Sequence, residues 1–184
     1  MDAMTSTQNR SKEHIFLESA LGPVRIVLIE GLPTRLQRID PNIPHLSKWI
    51  LESQRQSPML FSLLSKSLLN GDNFEGDIWL QGLSPFYKMV LERVKTIPKG
   101  TVKTYSQLAE EIGHPLAVRA VGSALAKNPL PLLIPCHRVI KKNGQIGHYS
   151  LGGKSMKEKL LMMEGVRVDK DKKIKFSSLA SSQS

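Results

Sequence analysis

Residues 119–140 read RAVGSALAKNPLPLLIPCHRVI and hold the chain's single cysteine, Cys136, with His137 and Arg138 directly after it. The stretch opens as a short helix that ends at Asn128-Pro129, because a proline biases the residue before it out of the helical region. The apolar run Leu130-Pro131-Leu132-Leu133-Ile134 then enters the core and delivers Pro135-Cys136-His137-Arg138 to one place. A thiol, an imidazole and a helix rich in small residues are thereby held close together.

Working upstream, Thr104 with Gln107 forms a capping-box pattern that opens a helix to about Ile112, and Gly113 closes it. Pro115 starts the next helix, which runs to about Lys127. Two short helices joined at Gly113-His114 read as a helix-turn-helix. Leu108, Ile112, Val118, Val121 and Leu125 form its inner face. Arg119, Gly122, Ser123 and Ala126 share the other face of the second helix. Such a face permits close approach to another surface, whether a nucleic acid or a neighbouring helix, and the pattern favours neither. Further upstream, Ser84 caps a helix with Pro85 at its first position and the stripe Phe86, Met89, Val90, Val94, Ile97. Pro98 and Gly100 stop it.

Downstream, Val139-Ile140 and Gln145-Ile146 flank Lys141-Lys142-Asn143-Gly144, a hairpin-turn signal. A glycine-rich loop follows over 147–153. A last helix, about 154–164, turns Met156, Leu160 and Met163 inward, and Gly165 closes it. The first half alternates like strands in HIFLES, GPVRIVLIE and PTRLQRID, with turns at Gly22-Pro23 and Gly31-Leu32-Pro33, which suggests an antiparallel meander. Helices follow near 44–54 (Leu46, Trp49, Ile50) and 58–69 (Leu60, Phe61, Leu64, Leu68). Asn70-Gly71-Asp72-Asn73 ends the second, and Ile78-Trp79-Leu80 returns as a strand candidate. The expected division is a flexible 1–12, a first domain over 13–81, a second over 82–168, and a loose basic tail over 169–184. The fold class is α/β of the α+β kind.

The 184 residues suffice for one large domain or two small ones, and 40% hydrophobic content supports a real core. No apolar run reaches the roughly 18 residues of a membrane span, and the first residues lack the apolar centre of a signal peptide. A single cysteine fits a reducing, intracellular setting and cannot build a Cys-rich zinc site. The formal charge is +10. Residues 1–84 carry 8 Lys/Arg and 9 Asp/Glu, whereas residues 85–184 carry 18 and 7. The excess therefore lies in the half that holds Cys136. It points to nucleic acid first, to an anionic membrane second, or to a plain solvated basic surface.

A lone cysteine in apolar surroundings is ordinarily an inert core residue. Against that stand the positive charges of His137, Arg138, Lys141 and Lys142, which favour thiolate. Pro135 places the cysteine at a strand end or turn, and Glu164 is available to orient a base. A free thiol of pKa about 8.5 is only a few per cent ionised at neutral pH, so a Glu–His–Cys relay would raise that fraction. Neighbouring side chains of an extended chain face opposite ways, so His137 would reach the sulfur through a bridging water.

The ordered motifs TYSQLA (104–109), RAVGSAL (119–125), NPLPLLIPCHRVI (128–140), GHYS (147–150) and KEKLLMMEG (157–165) resemble the O6-alkylguanine-DNA alkyltransferases, also called methylated-DNA–protein-cysteine methyltransferases. The resemblance is strong over 84–165 and extends in outline to the first half. It implies a ribonuclease-H-like N-terminal domain and a winged helix-turn-helix-like C-terminal domain. It makes Cys136 the acceptor of an alkyl group from O6-alkylguanine in double-stranded DNA, and of one from O4-alkylthymine, in a single irreversible turnover with base flipping through the minor groove.

By the same resemblance, His137 is the general base through water and Glu164 its orienting acid. Tyr105 presses the target phosphate and protonates guanine N3, and Asn128 is the hinge between recognition helix and active site. Arg119 fills the gap left by the flipped base. Ala120, Gly122, Ser123, Ala126, Lys127 and Arg138 join it against DNA. Pro135, Val139, Tyr149 and Ser150 line the base pocket. No cofactor, no metal and no membrane partner are implied. The protein would be an intracellular monomer, cytoplasmic (nucleoid) in a prokaryote and nuclear in a eukaryote.

The loop YSLGGKSM is one residue longer than the family's usual spacing, which bears on Ser150 and on the size of alkyl group accepted. Two other classes compete. A Cys–His hydrolase would turn over esters, but adjacent Cys and His suit it poorly. A non-catalytic helix-turn-helix protein would bind DNA with its thiol unchanged, and leaves Pro-Cys-His-Arg unexplained.

Overall fold

The structure is a computed structural model that describes residues 12–171 together with 173 and 174. The architecture is mixed α/β. Three strands, β1 (Lys12–Leu17), β2 (Val24–Ile29) and β3 (Leu32–Arg38), form an antiparallel meander in that order. Alternation in the sequence becomes alternation in burial: Ile15, Leu17, Val24, Ile26 and Leu28 point inward. The second turn is Glu30-Gly31, both at positive φ (52° and 75°), so Leu32 and Pro33 belong to β3 and not to the turn. Pro33 is tolerated because β3 is the outer strand.

Helices α1 (Leu46–Gln56) and α2 (Pro58–Ser65) follow, and a π-helical turn over Lys66–Asn70 ends at Gly71 with φ 76°. Residues 78–80 do not form a strand. A bond from Trp79 N–H to the Pro33 carbonyl (2.9 Å) ties them to β3.

In the second half, α3 (Pro85–Lys95) is capped by Ser84, whose side chain accepts from the Tyr87 N–H. Val90, Leu91, Val94 and Ile97 are buried, whereas Met89 is exposed, so the buried stripe turns toward Leu91. Helix α4 (Tyr105–Glu111) carries the full capping box between Thr104 and Gln107, and Gly113 at φ 75° ends it. Residues 115–117 form a turn closed by Ala117 N–H to the His114 carbonyl (2.9 Å), and α5 runs from Val118 to Ala126. The helix therefore begins three residues after Pro115, and Val118 is exposed instead of packed. On α5, Val121, Ala124 and Leu125 face the core.

Short strands β4 (Lys103–Thr104) and β5 (Val139–Ile140) pair in parallel. The turn at Asn143-Gly144 is present, with Gly144 at φ 79° and Lys141 N–H bonded to the Gln145 carbonyl. Yet Gln145 bridges to Lys173 and β5 pairs with β4, so no simple hairpin forms. Helix α6 (Gly153–Met163) buries Lys157, Leu160 and Leu161, while Met163 is exposed.

One apolar cluster runs from Ile15 and Leu36 through Val94 and Leu125 to Leu160, so the 81–83 boundary does not separate two cores. A bond from Leu36 N–H to the Pro129 carbonyl (2.9 Å) ties the halves together. Ile174 is buried with Ile140, Ile146 and Leu161, which extends order past residue 169. The expected flexibility of the N-terminus and of the tail beyond 174 lies outside the described residues, apart from Lys12, which opens β1. Among the described residues, no helix is long and apolar enough to cross a membrane.

Thr104 is buried, and its hydroxyl accepts the Gln107 N–H at 3.1 Å. Thr104→Ala should cost about 1 kcal/mol and lower the melting temperature by about 2–4 °C. Thr104→Ser should recover most of it. A thermal melt showing no shift for alanine would contradict the cap's role.

Candidate active site

The backbone that carries Cys136 is unusual over its whole approach. Leu132 adopts a left-handed φ of 77°, a conformation that costs a non-glycine residue about 1–3 kcal/mol. The bend lets Ile134 N–H reach the Leu130 carbonyl (2.8 Å). Residues Cys136–Arg138 form a single 3-10 turn before β5, not an extended strand. Cys136 and His137 thus diverge by helical rotation, which corrects the strand-based reason for separating them.

Cys136 is buried (5% exposed). The Asn128 side-chain N–H donates to its sulfur at 3.1 Å and to the Ile134 carbonyl at 2.9 Å, while Asn128 Oδ1 accepts the Leu130 N–H. Burial pushes the thiol's pKa up, and the Asn128 bond and the Lys157 charge oppose that rise. Lys157 is 1% exposed, with its ammonium donating to the Val139 carbonyl at 2.5 Å and lying 5.9 Å over the Tyr105 ring. Burial lowers its pKa to about 8 against the pull of Cys136.

His137 is also buried, and its Nε2 lies 2.9 Å from Glu164 Oε1. Burial holds the imidazole below its ordinary pKa despite the carboxylate, with Arg138 and Lys157 adding to the effect. The ring is therefore neutral at pH 7. With Nε2 donating to Glu164, Nδ1 carries the lone pair, and it is buried with no hydrogen-bond partner among the described residues. The Tyr149 hydroxyl is in the same condition, and its ring stands edge-on to His137 at 6.1 Å.

Arg138 is 1% exposed, which removes it from any DNA-facing surface. Its Nε and Nη2 grip Glu164 at 2.7–3.2 Å; Nη1 donates to Asn73 Oδ1 (2.5 Å) and to the Ile97 carbonyl (2.6 Å). Nη2 also donates to the Gly71 carbonyl. Burial works against the Glu164 charge, yet the hydrogen bonds and charges of His137 and Arg138 bring its pKa down to about 2.

Beside the sulfur opens a cavity of about 70 Å³ lined by Tyr105, Gly122, Leu125 and Ala126 on the helix side, and by Cys136, His148, Tyr149 and Ser150. Arg119, Ala120, Ser123, Ala126 and Lys127 are exposed, and Gly122 is half-buried against Tyr105. The small face of α5 is thus uncovered among the described residues, which decides against its use in packing onto another of their helices.

Residues 85–166 match the family model of the 6-O-methylguanine DNA methyltransferase DNA-binding domain. A methylated-DNA–protein-cysteine methyltransferase of Methanothermobacter thermautotrophicus is 34% identical over 151 residues, covering 80% of this chain and 77% of that protein. The chain belongs to the methylated-DNA–protein-cysteine methyltransferase family. The Mus musculus member is 50% identical over 82 residues, 44% of this chain and 39% of that protein. The Cricetulus griseus member is 43% identical over 117 residues, 63% of this chain and 53% of that protein. The chain thus matches about half or less of the length of these two relatives. Among solved structures, the Mycobacterium tuberculosis O6-methylguanine methyltransferase superposes with a TM-score of 0.61 at 28% identity, covering 88% of this chain and 97% of that one. The structure described as Mycobacterium tuberculosis OGT in complex with DNA has the same TM-score and identity, covering 83% and 92%.

The structure groups Cys136 with Asn128, Tyr105, Tyr149 and Ser150, and pairs His137 with Glu164, with the His137 ring edge-on to Tyr149. Pro135 and Val139, which flank the 3-10 turn, are buried and do not line the cavity. The charges expected to favour thiolate are spent elsewhere: Arg138 on Glu164, with Lys141 and Lys142 exposed. Lys157 takes that part and escaped the sequence reading. Its spacing of three before Leu160 and seven before Glu164 places it on the buried face of α6 and was the available signal. Gly71 and Asn73 also escaped it, since nothing local in NGDN marks partners so distant in sequence.

Glu164 titrates in the folded protein at about 2, below the ordinary 4.5. Between those values the unfolded chain binds more protons, so the stability this group contributes is present above about pH 4.5 and lost as pH falls toward 2. Glu164→Gln should destabilise by about 3–5 kcal/mol at neutral pH by stranding Arg138, and the deficit should shrink through that window. Denaturant titrations at neutral and acid pH would show it; a deficit independent of pH would contradict the assignment.

Proposed function

We propose that this protein reverses alkylation damage in DNA by transferring the alkyl group of O6-alkylguanine to Cys136. The observation that carries the reading is a buried thiol that is hydrogen-bonded by Asn128 and shares one small cavity with Tyr105, followed directly in the chain by a histidine hydrogen-bonded to Glu164. Family membership and the DNA-bound structure of a relative support it.

In the mechanism, the target base leaves the stack, since its O6 carbon cannot be reached inside the duplex. Helix α5 enters the minor groove, which is about 6 Å wide and suits a face of small residues. Arg119, Ala120, Ser123 and Lys127 lie along the DNA, with Arg119 filling the gap. Arg138 takes no part there. His137 Nδ1 receives the thiol proton through a water, and Glu164 stabilises the imidazolium formed. The Asn128 N–H and the Lys157 ammonium favour the thiolate that results. Tyr105 donates a proton to guanine N3, so guanine leaves neutral as the thiolate attacks the alkyl carbon in line. The bond to O6 breaks, an S–C bond forms, and restored guanine is released. A thioether has no hydrolytic exit here, so each molecule acts once.

O4-alkylthymine fits the same pocket chemistry, and Tyr149 and Ser150 close over the base. The meander with its helices corresponds on this reading to a ribonuclease-H-like domain, and α4–α5 with the short β4/β5 pair to a winged helix-turn-helix. The protein acts as a monomer inside the cell, where chromosomal DNA is found.

A quenched-flow assay on a duplex bearing one O6-methylguanine tests this. Restored guanine should saturate at one per protein molecule, and Cys136→Ala should bind the duplex without restoring it. Arg119→Ala should slow repair in duplex about ten-fold or more while leaving reaction with the free base O6-benzylguanine near wild type. Continued turnover beyond one equivalent, or equal losses on duplex and free base, would contradict it.

A further inference from the structure

Arg138, Glu164 and His137 all belong to the second half, but the guanidinium is held by the first. Asn73 Oδ1 accepts from Arg138 Nη1 at 2.5 Å, and the Gly71 carbonyl accepts from Nη2. Asn73 is itself fixed, because its Nδ2 donates to the Lys95 carbonyl (3.0 Å) and the Ile97 carbonyl (3.2 Å). Gly71 also backs directly onto the carboxylate: a Cβ at this position would lie 3.0 Å from Glu164 Oε1. The same Oε1 faces His137 Nε2 at 2.9 Å. A continuous chain of contacts thus runs from Asn73 and Gly71 through Arg138 to Glu164 and His137, the residue that follows Cys136.

We infer that Gly71 and Asn73 are positioning residues for the alkyl-transfer step, setting through Arg138 the place of the Glu164 carboxylate against His137. The inference rests on the reading of Cys136 as alkyl acceptor and extends the reacting apparatus into the first half of the chain. Two features distinguish this arrangement from plain interdomain glue. The buried arginine spends three of its hydrogen bonds on the carboxylate that orients the base. And Gly71, at φ 76°, offers the carboxylate a surface with no side chain, so its close approach depends on glycine. The charged and titratable groups around His137 are Glu164, Arg138, Lys157, Cys136 and the Tyr149 phenol. Of these, Arg138 is hydrogen-bonded from the first half and Glu164 is backed by Gly71.

The test is single-turnover transfer from an O6-methylguanine duplex, at saturating full-length protein, across pH, for wild type, Asn73→Leu, Asn73→Asp and Gly71→Ala. Asn73→Leu removes the acceptor for Nη1. It should lower the transfer rate constant about ten-fold or more and displace the acidic limb of the pH profile, with duplex affinity near wild type. Asn73→Asp keeps an acceptor and should recover most of the rate. Gly71→Ala crowds Oε1 and should reproduce the signature of Asn73→Leu by an independent route, which serves if the leucine variant does not fold. Wild-type rate and pH profile in a folded Asn73→Leu or Gly71→Ala protein would overturn the inference. So would an Asn73→Asp rate as low as that of leucine, which would assign the effect to the lost Nδ2 bonds. Failure of wild type itself to transfer would instead remove the underlying reading.

Discussion

Arg138 brings five N–H donors and a fixed positive charge into the interior, and each must find a partner there or the fold suffers. The four partners come from three places in the chain: Glu164 after α6, Asn73 and Gly71 after the π-helical turn, and the Ile97 carbonyl after α3. A buried pair of this kind adds little to net stability when intact but is costly to break, because one charge is then stranded. Its value lies in geometry. It pins the end of α6 and the strand-bearing half to the segment that carries Cys136. It also keeps Glu164 ionised where its carboxylate can accept from His137. The apolar core spans both halves as well, with Leu36 and Leu68 from the first and Leu160 from the second in one cluster.

Electrostatics at the cysteine differ from the simple picture of a thiol ringed by cations. Burial alone would keep Cys136 protonated, and the neighbouring histidine is neutral. The opposing influences are a hydrogen bond from Asn128, the buried ammonium of Lys157 and a backbone hydrogen bond at Cys136 itself. Such a thiol is quiet at rest. In the proposed transfer its proton leaves toward His137 Nδ1, which is buried with no hydrogen-bond partner among the described residues.

Much of the local structure was legible because its causes are local. Ser84-Pro85, the Thr104/Gln107 box, Gly71 and Gly113 act through hydrogen bonds and dihedral angles within a few residues, and each appears where the sequence puts it. The strands of the meander follow from period-two alternation. What the sequence hid depends on distant partners. Arg138 reads as a DNA contact until Glu164 and Asn73, 26 and 65 residues away, are seen to surround it. Asn143-Gly144 signals a hairpin, but the flanking residues pair with Lys103–Thr104 and Lys173 instead. On α6 the stripe Met156, Leu160 and Met163 reads as the inner face, and Met156 and Leu160 do pack on the core while Met163 is exposed. The true face, Lys157, Leu160, Leu161 and Glu164, includes two charges whose burial only the assembled site explains.

The central claim is that Cys136 accepts the alkyl group, and peptide mass mapping tests it most directly. Protein is incubated with an O6-methylguanine duplex, digested, and the peptide containing Cys136 is fragmented. The account predicts one added methyl group on the Cys136 sulfur and none on the duplex recovered. An unmodified Cys136 in folded, DNA-bound protein, or a methyl group on any other residue, would contradict it.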